Sequence, residues 1–308
     1  MYVLIVNPVA GEGRGMKVYQ ELKQHSLYQQ KNCRSFLTEY QGHGKALATQ
    51  VAQMYGTQIK AIIVVGGDGT LNEVMNGLKT FPAMNVAIIP AGSGNDFARA
   101  CKIERKPVTL FKQIINNPSW RSYRLGKITK ETSRKQTPLF ANSIGIGFDA
   151  VVAKQADESK YKKYMNLLRL GMLSYLIALF QVLFTYQTKK IQLVIDGKPL
   201  VFQHTFMVTV TNHPFFGGGM KIVPHAKMDS GRLYVLIIDH ISKWKVLFLF
   251  FTVFFGKHTT FKEVYIYEAS EIKVILNEER SYQIDGQTGK IGSFTITKDH
   301  LMRKIHRF

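Results

Sequence analysis

The 308-residue chain has only two cysteines, Cys33 and Cys101. Two cysteines make neither a disulfide framework nor a zinc site, and they favour a reducing cytoplasm. Low-complexity tracts are absent. Met1 runs straight into Tyr-Val-Leu-Ile-Val-Asn, with no basic n-region or cleavage signal, so no secretion peptide is expected. A transmembrane helix needs ~20 predominantly apolar residues. The run 170–186 holds Ser174, Gln181 and Thr185 and follows Arg169, and the run 246–255 has ten residues, so no full span is expected. The nine histidines lack metal-ligand spacing, and His213 and His225 read as cleft-rim or satisfied loop residues, not ligands. There is no Gly-Lys-Ser/Thr of a P-loop, no hydrolase nucleophile elbow, and no zinc-finger or RNP pattern. Acidic residues are few: 21 Asp+Glu face 41 Lys+Arg, a net charge of +20. Without nucleic-acid motifs, that excess points to a peripheral anionic membrane surface and not to nucleic acid.

The chain is organised around residues 61–77. An apolar, mostly β-branched run over 61–65 reads as a strand buried on both faces. Gly66, Gly67 and Gly69 then surround Asp68. Thr70 reads as a helix N-cap with Glu73 as its capping-box partner, and Leu71, Val74, Met75 and Leu78 form a helical apolar stripe. The N–H groups at such a helix start favour anions. A carboxylate there repels phosphate unless a cation lies between them, and Mg²⁺ bridges carboxylates to phosphates.

Two more strand–glycine turn–helix units flank this one. Residues 2–7 lead into Asn7-Pro8-Val9-Ala10-Gly11-Glu12-Gly13-Arg14-Gly15. Residues 85–89 lead into Pro90-Ala91-Gly92-Ser93-Gly94-Asn95-Asp96. A short strand over 34–39 includes Thr38, and helices are expected near 16–29, 42–55 and 108–116. Repeated units of this kind imply an α/β domain with a parallel sheet and helices on both faces, with ligands at the carboxyl ends of the strands. From about 120 the pattern alternates. Strands are expected over 121–129, 139–146, 191–195, 204–211, 233–238, 262–267, 271–276, 281–284 and 293–297, with turns at Asp196-Gly197 and Asp285-Gly286. This is a second, antiparallel β domain. The apolar runs 170–186 and 246–255, flanked by Lys162, Lys163, Lys243, Lys245 and Lys257, read either as core helices or as a lipid-facing helix pair.

Gly66-Gly67-Asp68-Gly69-Thr70-Leu71-Asn72-Glu73, with Asn7-Pro8 and Gly11 before it and residues 90–99 after it, resembles the diacylglycerol kinase catalytic family. Sphingosine and ceramide kinases are more distant relatives. The likeness covers nearly the whole chain and extends to Gly217-Gly218-Gly219-Met220, residues 224–233 and Asp285-Gly286. It implies ATP- and Mg²⁺-dependent phosphorylation of a lipid hydroxyl, diacylglycerol first, at a cleft between the two domains. It divides the chain into a nucleotide-binding domain over 1–120, completed by about 296–308, and a lipid-binding β-sandwich over 121–295. Nucleotide contacts carried over from the family fall on Asn7, Thr38, Gly66, Gly67, Asp68, Gly69, Thr70, Leu71, Asn72 and Ser93. The resemblance also implies that Asp68 and Asp96 join a Mg²⁺–water network.

Two departures stand out. The family's catalytic Asp-Gly-Glu reads Asp285-Gly286-Gln287 here, so Asp285 is the candidate proton acceptor and Gln287 replaces an acid. A structural metal site of the family falls on Asp229-Ser230-Gly231, where Asp229 is the ligand left. These departures keep a weakly active or inactive ATP- and lipid-binding regulator in view. The shared Gly-Gly-Asp-Gly keeps an NAD kinase in view. An exposed strand edge or the Phe-rich segment leaves a homodimer open.

Overall fold

A computed structural model describes residues 1–103, 106–131, 137–158 and 180–308. Most of the run 170–186, the lysines at 160–163 and Arg169 lie outside the described residues. In chain order the first elements are β1 (Tyr2–Val6), α1 (Ala10–Gln24), α2 (Ser26–Gln30), β2 (Cys33–Leu37), α3 (His43–Tyr55) and β3 (Ala61–Gly66). Then come α4 (Asp68–Gly77), β4 (Val86–Pro90), α5 (Asp96–Ala100), α6 (Pro107–Asn116) and β5 (Trp120–Tyr123). There follow β6 (Gly126–Lys130), β7 (Leu139–Phe140), β8 (Ser143–Gly147), α7 (Phe148–Glu158), β9 (Lys189–Ile195) and β10 (Lys198–Thr211). Next are β11 (Phe215–Phe216), β12 (Met220–Lys221), β13 (Leu233–Asp239), α8 (Lys243–Thr252), β14 (Val264–Ala269) and β15 (Glu271–Ile275). The chain ends with β16 (Arg280–Ile284), β17 (Gln287–Ile291), β18 (Phe294–Lys298) and β19 (Arg303–His306). Contacts divide the chain into two units: Met1–Leu125 with Gly217–Gly219 and Asp299–Phe308, and Gly126–Phe216 with Met220–Lys298.

The first unit is a six-stranded sheet in the order β2-β1-β3-β4-β19-β5. Its first four strands are parallel, and β19 runs parallel to β4 and antiparallel to β5. β1 and β3 are buried throughout, as near-continuous apolar runs require when helices cover both faces. Each fully buried Ile or Val there contributes roughly 1.5–3 kcal/mol.

Local differences from the sequence reading have identifiable causes. The expected single helix over 16–29 is two, because His25 adopts an extended backbone and its Nδ1 accepts the N–H of Leu27. Thr70 is not the N-cap of α4; that position is Gly67. Glu73 does not close a capping box. Its carboxylate reaches the start of the adjacent α3, accepting the N–H groups of Gly42 at 2.8 Å and Gly44 at 3.0 Å. The expected strand 121–129 is split between the units, since β5 pairs with β19 whereas β6 pairs with β18.

The second unit is antiparallel. β10 holds it together: its first half pairs with β9, its second half with β8 and β13, and its register shifts near 202–207. A strand that bends at a bulge serves two layers at once. Ile191, Leu193 and Phe202 thereby join Ile144, Val208, Val235 and Ile237 in one buried core. The outer face of β13 carries Tyr234, Leu236 and Ile238, which pack with Phe148 and Val152 of α7, Val182, Leu183, and Val246 and Leu249 of α8. Among the described residues no helix is long and apolar enough to cross a membrane.

Candidate functional site

The first unit gathers its polar residues along one edge of the sheet. Val6 lies beside Leu37 and Val65, and Gly66 beside Pro90, so the carboxyl ends of four parallel strands are aligned. Asn7, Thr38, Gly66 and Gly67, and Ala91 and Gly92 continue from those ends. β2 and β3 flank β1 on opposite sides, which makes the β1–β3 gap the switch point where open α/β sheets bind ligands. Asn7 Nδ2 bridges it, donating to Thr70 Oγ1 at 3.0 Å. Asn7 Oδ1 accepts the N–H of Val9 at 3.2 Å. Thr38 is buried alongside, its N–H donated to the Val6 carbonyl at 2.8 Å.

Glycine is required where two turns meet. A methyl group on Gly92 would lie 2.5 Å from the Cα of Gly67, so the loops after β3 and β4 pack backbone to backbone. Asn95, at φ 56°, closes the second loop: its Oδ1 accepts the N–H of Gly92 at 2.9 Å and its Nδ2 donates to the Gly92 carbonyl at 2.7 Å.

Asp68 ties the two loops together. Its Oδ2 accepts the N–H of Asp96 at 2.9 Å and its Oδ1 that of Phe97 at 3.0 Å. Asp96 Oδ1 accepts Arg99 Nη1 at 2.6 Å, and its Oδ2 accepts the N–H of Gly218 at 2.9 Å. Burial, reinforced by the charge of Asp68, pushes the Asp96 carboxyl up to about 6. Arg99 is thus engaged as an ion-pair partner. Ser93 is exposed in the loop, and Gly69 and Thr70 lie in the first turn of α4. Leu71 and Asn72 differ from these. Leu71 is fully buried with its N–H on the Gly67 carbonyl at 3.1 Å, and buried Asn72 accepts Asn76 Nδ2 at 3.1 Å. Both belong to the interior of the helix.

Among the described residues no three His, Cys, Asp or Glu side chains group as a metal cage. Mg²⁺ that keeps its waters and binds phosphate needs only one or two carboxylates. Asp68 and Asp96, close enough to oppose each other's charge, fit that donor set.

Asp285, Gln287 and Asp229 lie in the second unit. Asp285 and Gly286, at φ 47° and 87°, form the two-residue turn between β16 and β17. Asp285 is buried. Its Oδ2 accepts the N–H of Ala141 at 2.6 Å, and its Oδ1 those of Asn142 at 2.9 Å and Ser143 at 2.8 Å. Those three donors turn inward exactly where the expected strand 139–146 breaks into β7 and β8. Gln287 opens β17, half-buried. Asp229 lines a cavity of about 500 Å³ with His225, Lys227, Ser230, Tyr234 and Glu268. Ser230 donates to Glu268 Oε1 at 3.2 Å and accepts the N–H of Arg232 at 3.1 Å. His213 is fully buried, with Nε2 2.7 Å from Asn142 Oδ1 and Nδ1 accepting the N–H of Phe215. Burial, aided by Lys298, lowers its imidazole to about 3, as a neutral structural histidine requires.

Comparison with known proteins matches residues 1–128 to the diacylglycerol kinase catalytic domain, and 142–297 to the YegS C-terminal NAD kinase beta sandwich-like domain. The Bacillus subtilis (strain 168) protein named "Putative lipid kinase YtlR" is 32% identical over 288 residues, 93% of each chain. The chain belongs to the diacylglycerol kinase catalytic-domain family. Within this family, a protein of Bacillus subtilis (strain 168) named diacylglycerol kinase is 28% identical over 80% of this chain and 76% of its own. A solved structure of a diacylglycerol kinase from Bacillus anthracis str. Sterne covers 100% of this chain and 96% of its own. Its TM-score is 0.71 at 20% identity, a likeness of fold.

The sequence reading missed Asp149 in this family member. Asp149 stands in the first turn of α7, and neither carboxylate oxygen has a hydrogen-bond partner although both are buried. Gly145 of β8 pairs with Thr209 on one side and Gln283 on the other, and a methyl on Gly145 would lie 1.7 Å from Asp149 Oδ2. Thr209 Oγ1 and Gln283 Nε2 are likewise buried without partners. Burial pushes the Asp149 carboxyl up to about 7. No local signal marks it, because an acid after Phe148 reads as an ordinary first-turn helix residue.

Proposed function

We propose that the protein is an ATP- and Mg²⁺-dependent kinase of a lipid hydroxyl, acting at an anionic membrane surface, with diacylglycerol the first acceptor to test. One observation carries this reading. Asp68 joins the glycine turn at the start of α4 to the start of α5, on the carboxyl edge of a parallel sheet. Phosphoryl transfer asks chiefly for positioning and charge stabilisation. The backbone of residues 66–70 cradles the triphosphate, with Asn7, Thr38 and Ser93 completing the rim. Asp68 and Asp96 are the residues that would hold Mg²⁺, which supplies neutralisation of the phosphate charge when bound. Asp229, sharing a cavity with Glu268, is the residue that would hold a bracing cation. The second unit receives the lipid.

A second reading, a slow enzyme or an ATP- and lipid-binding regulator, has its own supporting observation. Gln287 is a neutral amide and cannot serve as a base, and both oxygens of Asp285 already accept backbone donors. General-base assistance is worth roughly 10²–10⁴-fold, so its loss slows a kinase heavily.

The test is transfer of radiolabel from ATP to a panel of lipids and NAD, with products separated by thin-layer chromatography. Labelled lipid that disappears in a folded Asp68→Ala protein supports the kinase. ATP binding without any labelled lipid supports the regulator. Labelled NAD with no labelled lipid overturns both.

A further inference from the structure

We propose that one face of α8 and the turn after it docks on an anionic lipid bilayer. Val246, Leu249 and Val253 are buried against the outer core of the second unit. Trp244, Phe248, Phe251 and Phe255, spaced four, three and four residues apart, are 69–77% exposed. That spacing is one helical stripe, so this surface helix is apolar on both sides. The stripe extends to a second segment: Phe184 is 51% exposed, and its ring centroid lies 6.2 Å from that of Trp244. A contiguous exposed aromatic surface of this kind marks an interaction site.

Charge decides what covers it. Residues 240–262 contain four lysines and no acid. Lys245 is paired with Glu263 at 2.6 Å, whereas Lys243, on the Phe184 carbonyl, and exposed Lys257 flank the stripe with their charge unneutralised by any acid within that segment. Protein interfaces deplete lysine, while helices lying in the lipid interface combine Trp and Phe with lysine. Tryptophan favours headgroup depth. The net charge of +20 adds attraction to an anionic leaflet. The docking names the membrane partner of the lipid-kinase reading and so rests on it for its purpose, but its test needs no turnover.

The experiment uses the full chain carrying Trp120→Phe, which leaves Trp244 as its one tryptophan. It is mixed with vesicles of phosphatidylcholine alone, or of phosphatidylcholine with phosphatidylglycerol. The expected result is co-sedimentation with the anionic vesicles, a blue shift of Trp244 emission, and quenching by brominated lipid. The combination Phe248→Ser, Phe251→Ser, Phe255→Ser is expected to weaken binding at least ~tenfold with an unchanged melting temperature, since the rings are exposed. Anionic-vesicle binding unaltered by these changes, or Trp244 emission unmoved by vesicles in the chain with its phenylalanines intact, overturns the proposal. A dimer that the triple substitution splits, without vesicle binding, also overturns it and gives the face to a second copy. Failure of the kinase reading alone leaves vesicle binding intact with no labelled lipid.

Discussion

Replacing Asp149 with asparagine tests a buried carboxyl that burial holds protonated. The carboxyl is fully buried and held at about 7, against an ordinary value of 3.8. Between those two values the folded protein keeps a proton that the unfolded chain releases, so stability falls as the pH rises through that window. Below about pH 4 both states are protonated and the group costs nothing; above about pH 7 both are ionised and the full cost is present. At about 1.4 kcal/mol per pH unit, the loss across the window is about 4 kcal/mol. Asparagine does not titrate. The stability of Asp149→Asn relative to wild type is therefore predicted to climb by about 4 kcal/mol from pH 4 to pH 7 and then level off. Urea unfolding followed by circular dichroism at steps of pH measures this, and the slope is the informative quantity because the amide carries its own constant burial cost. A difference that stays flat from pH 4 to pH 7 would refute the assignment of a buried, unpaired carboxyl.

Other substitutions probe the remaining links. Glu73→Ala removes the acceptor of two N–H groups at the start of α3; with charged acceptors worth roughly 1.5–3 kcal/mol each, a loss of about 3 kcal/mol is predicted from urea midpoints. A smaller change than 1 kcal/mol would mean water replaces the carboxylate easily. Asp285→Ala leaves three buried donors unmet and is predicted to cost at least about 3 kcal/mol, with Asp285→Asn recovering part of it. Equal melting temperatures for wild type and Asp285→Ala would argue that the turn does not depend on this acid. Gln287→Glu is predicted to raise kcat on the lipid acceptor by ~10-fold or more if an acid is what the turn lacks; an unchanged or lower kcat counts against that. In Asp68→Asn the Asp96 carboxyl, now at about 6, is predicted to titrate lower by carboxyl ¹³C NMR, and no movement would show that burial alone sets it.

The glycine turns were legible because their chemistry is local. A buried β-branched strand, three glycines and a helical stripe describe themselves in residues 61–77, and the same holds for the turns after β1 and β4. Asp196-Gly197 and Asp285-Gly286 were legible as hairpin turns for the same reason: both residues of each pair adopt positive φ. The break between β7 and β8 was not legible, because the carboxylate that causes it comes from residue 285, more than 140 positions away. Glu73 misled for a related reason. Its spacing from Thr70 fits a capping box, yet the helix begins earlier and the carboxylate meets a neighbouring helix instead.

Sequence alone determined the α/β and antiparallel halves, the glycine turns and the family resemblance, since each depends on side-chain periodicity or backbone freedom within a short span. Tertiary structure decided which groups meet: Asp68 with the start of α5, Glu73 with α3, Asp285 with β8, and buried Asp149 with the neutral amide of Gln283 beside Gly145. It also decided which side of α8 is covered, leaving Trp244, Phe248, Phe251 and Phe255 outward. Hydrogen bonds and burial are set by distances across the fold, and a helix that is apolar all round carries no mark of which face the core will take.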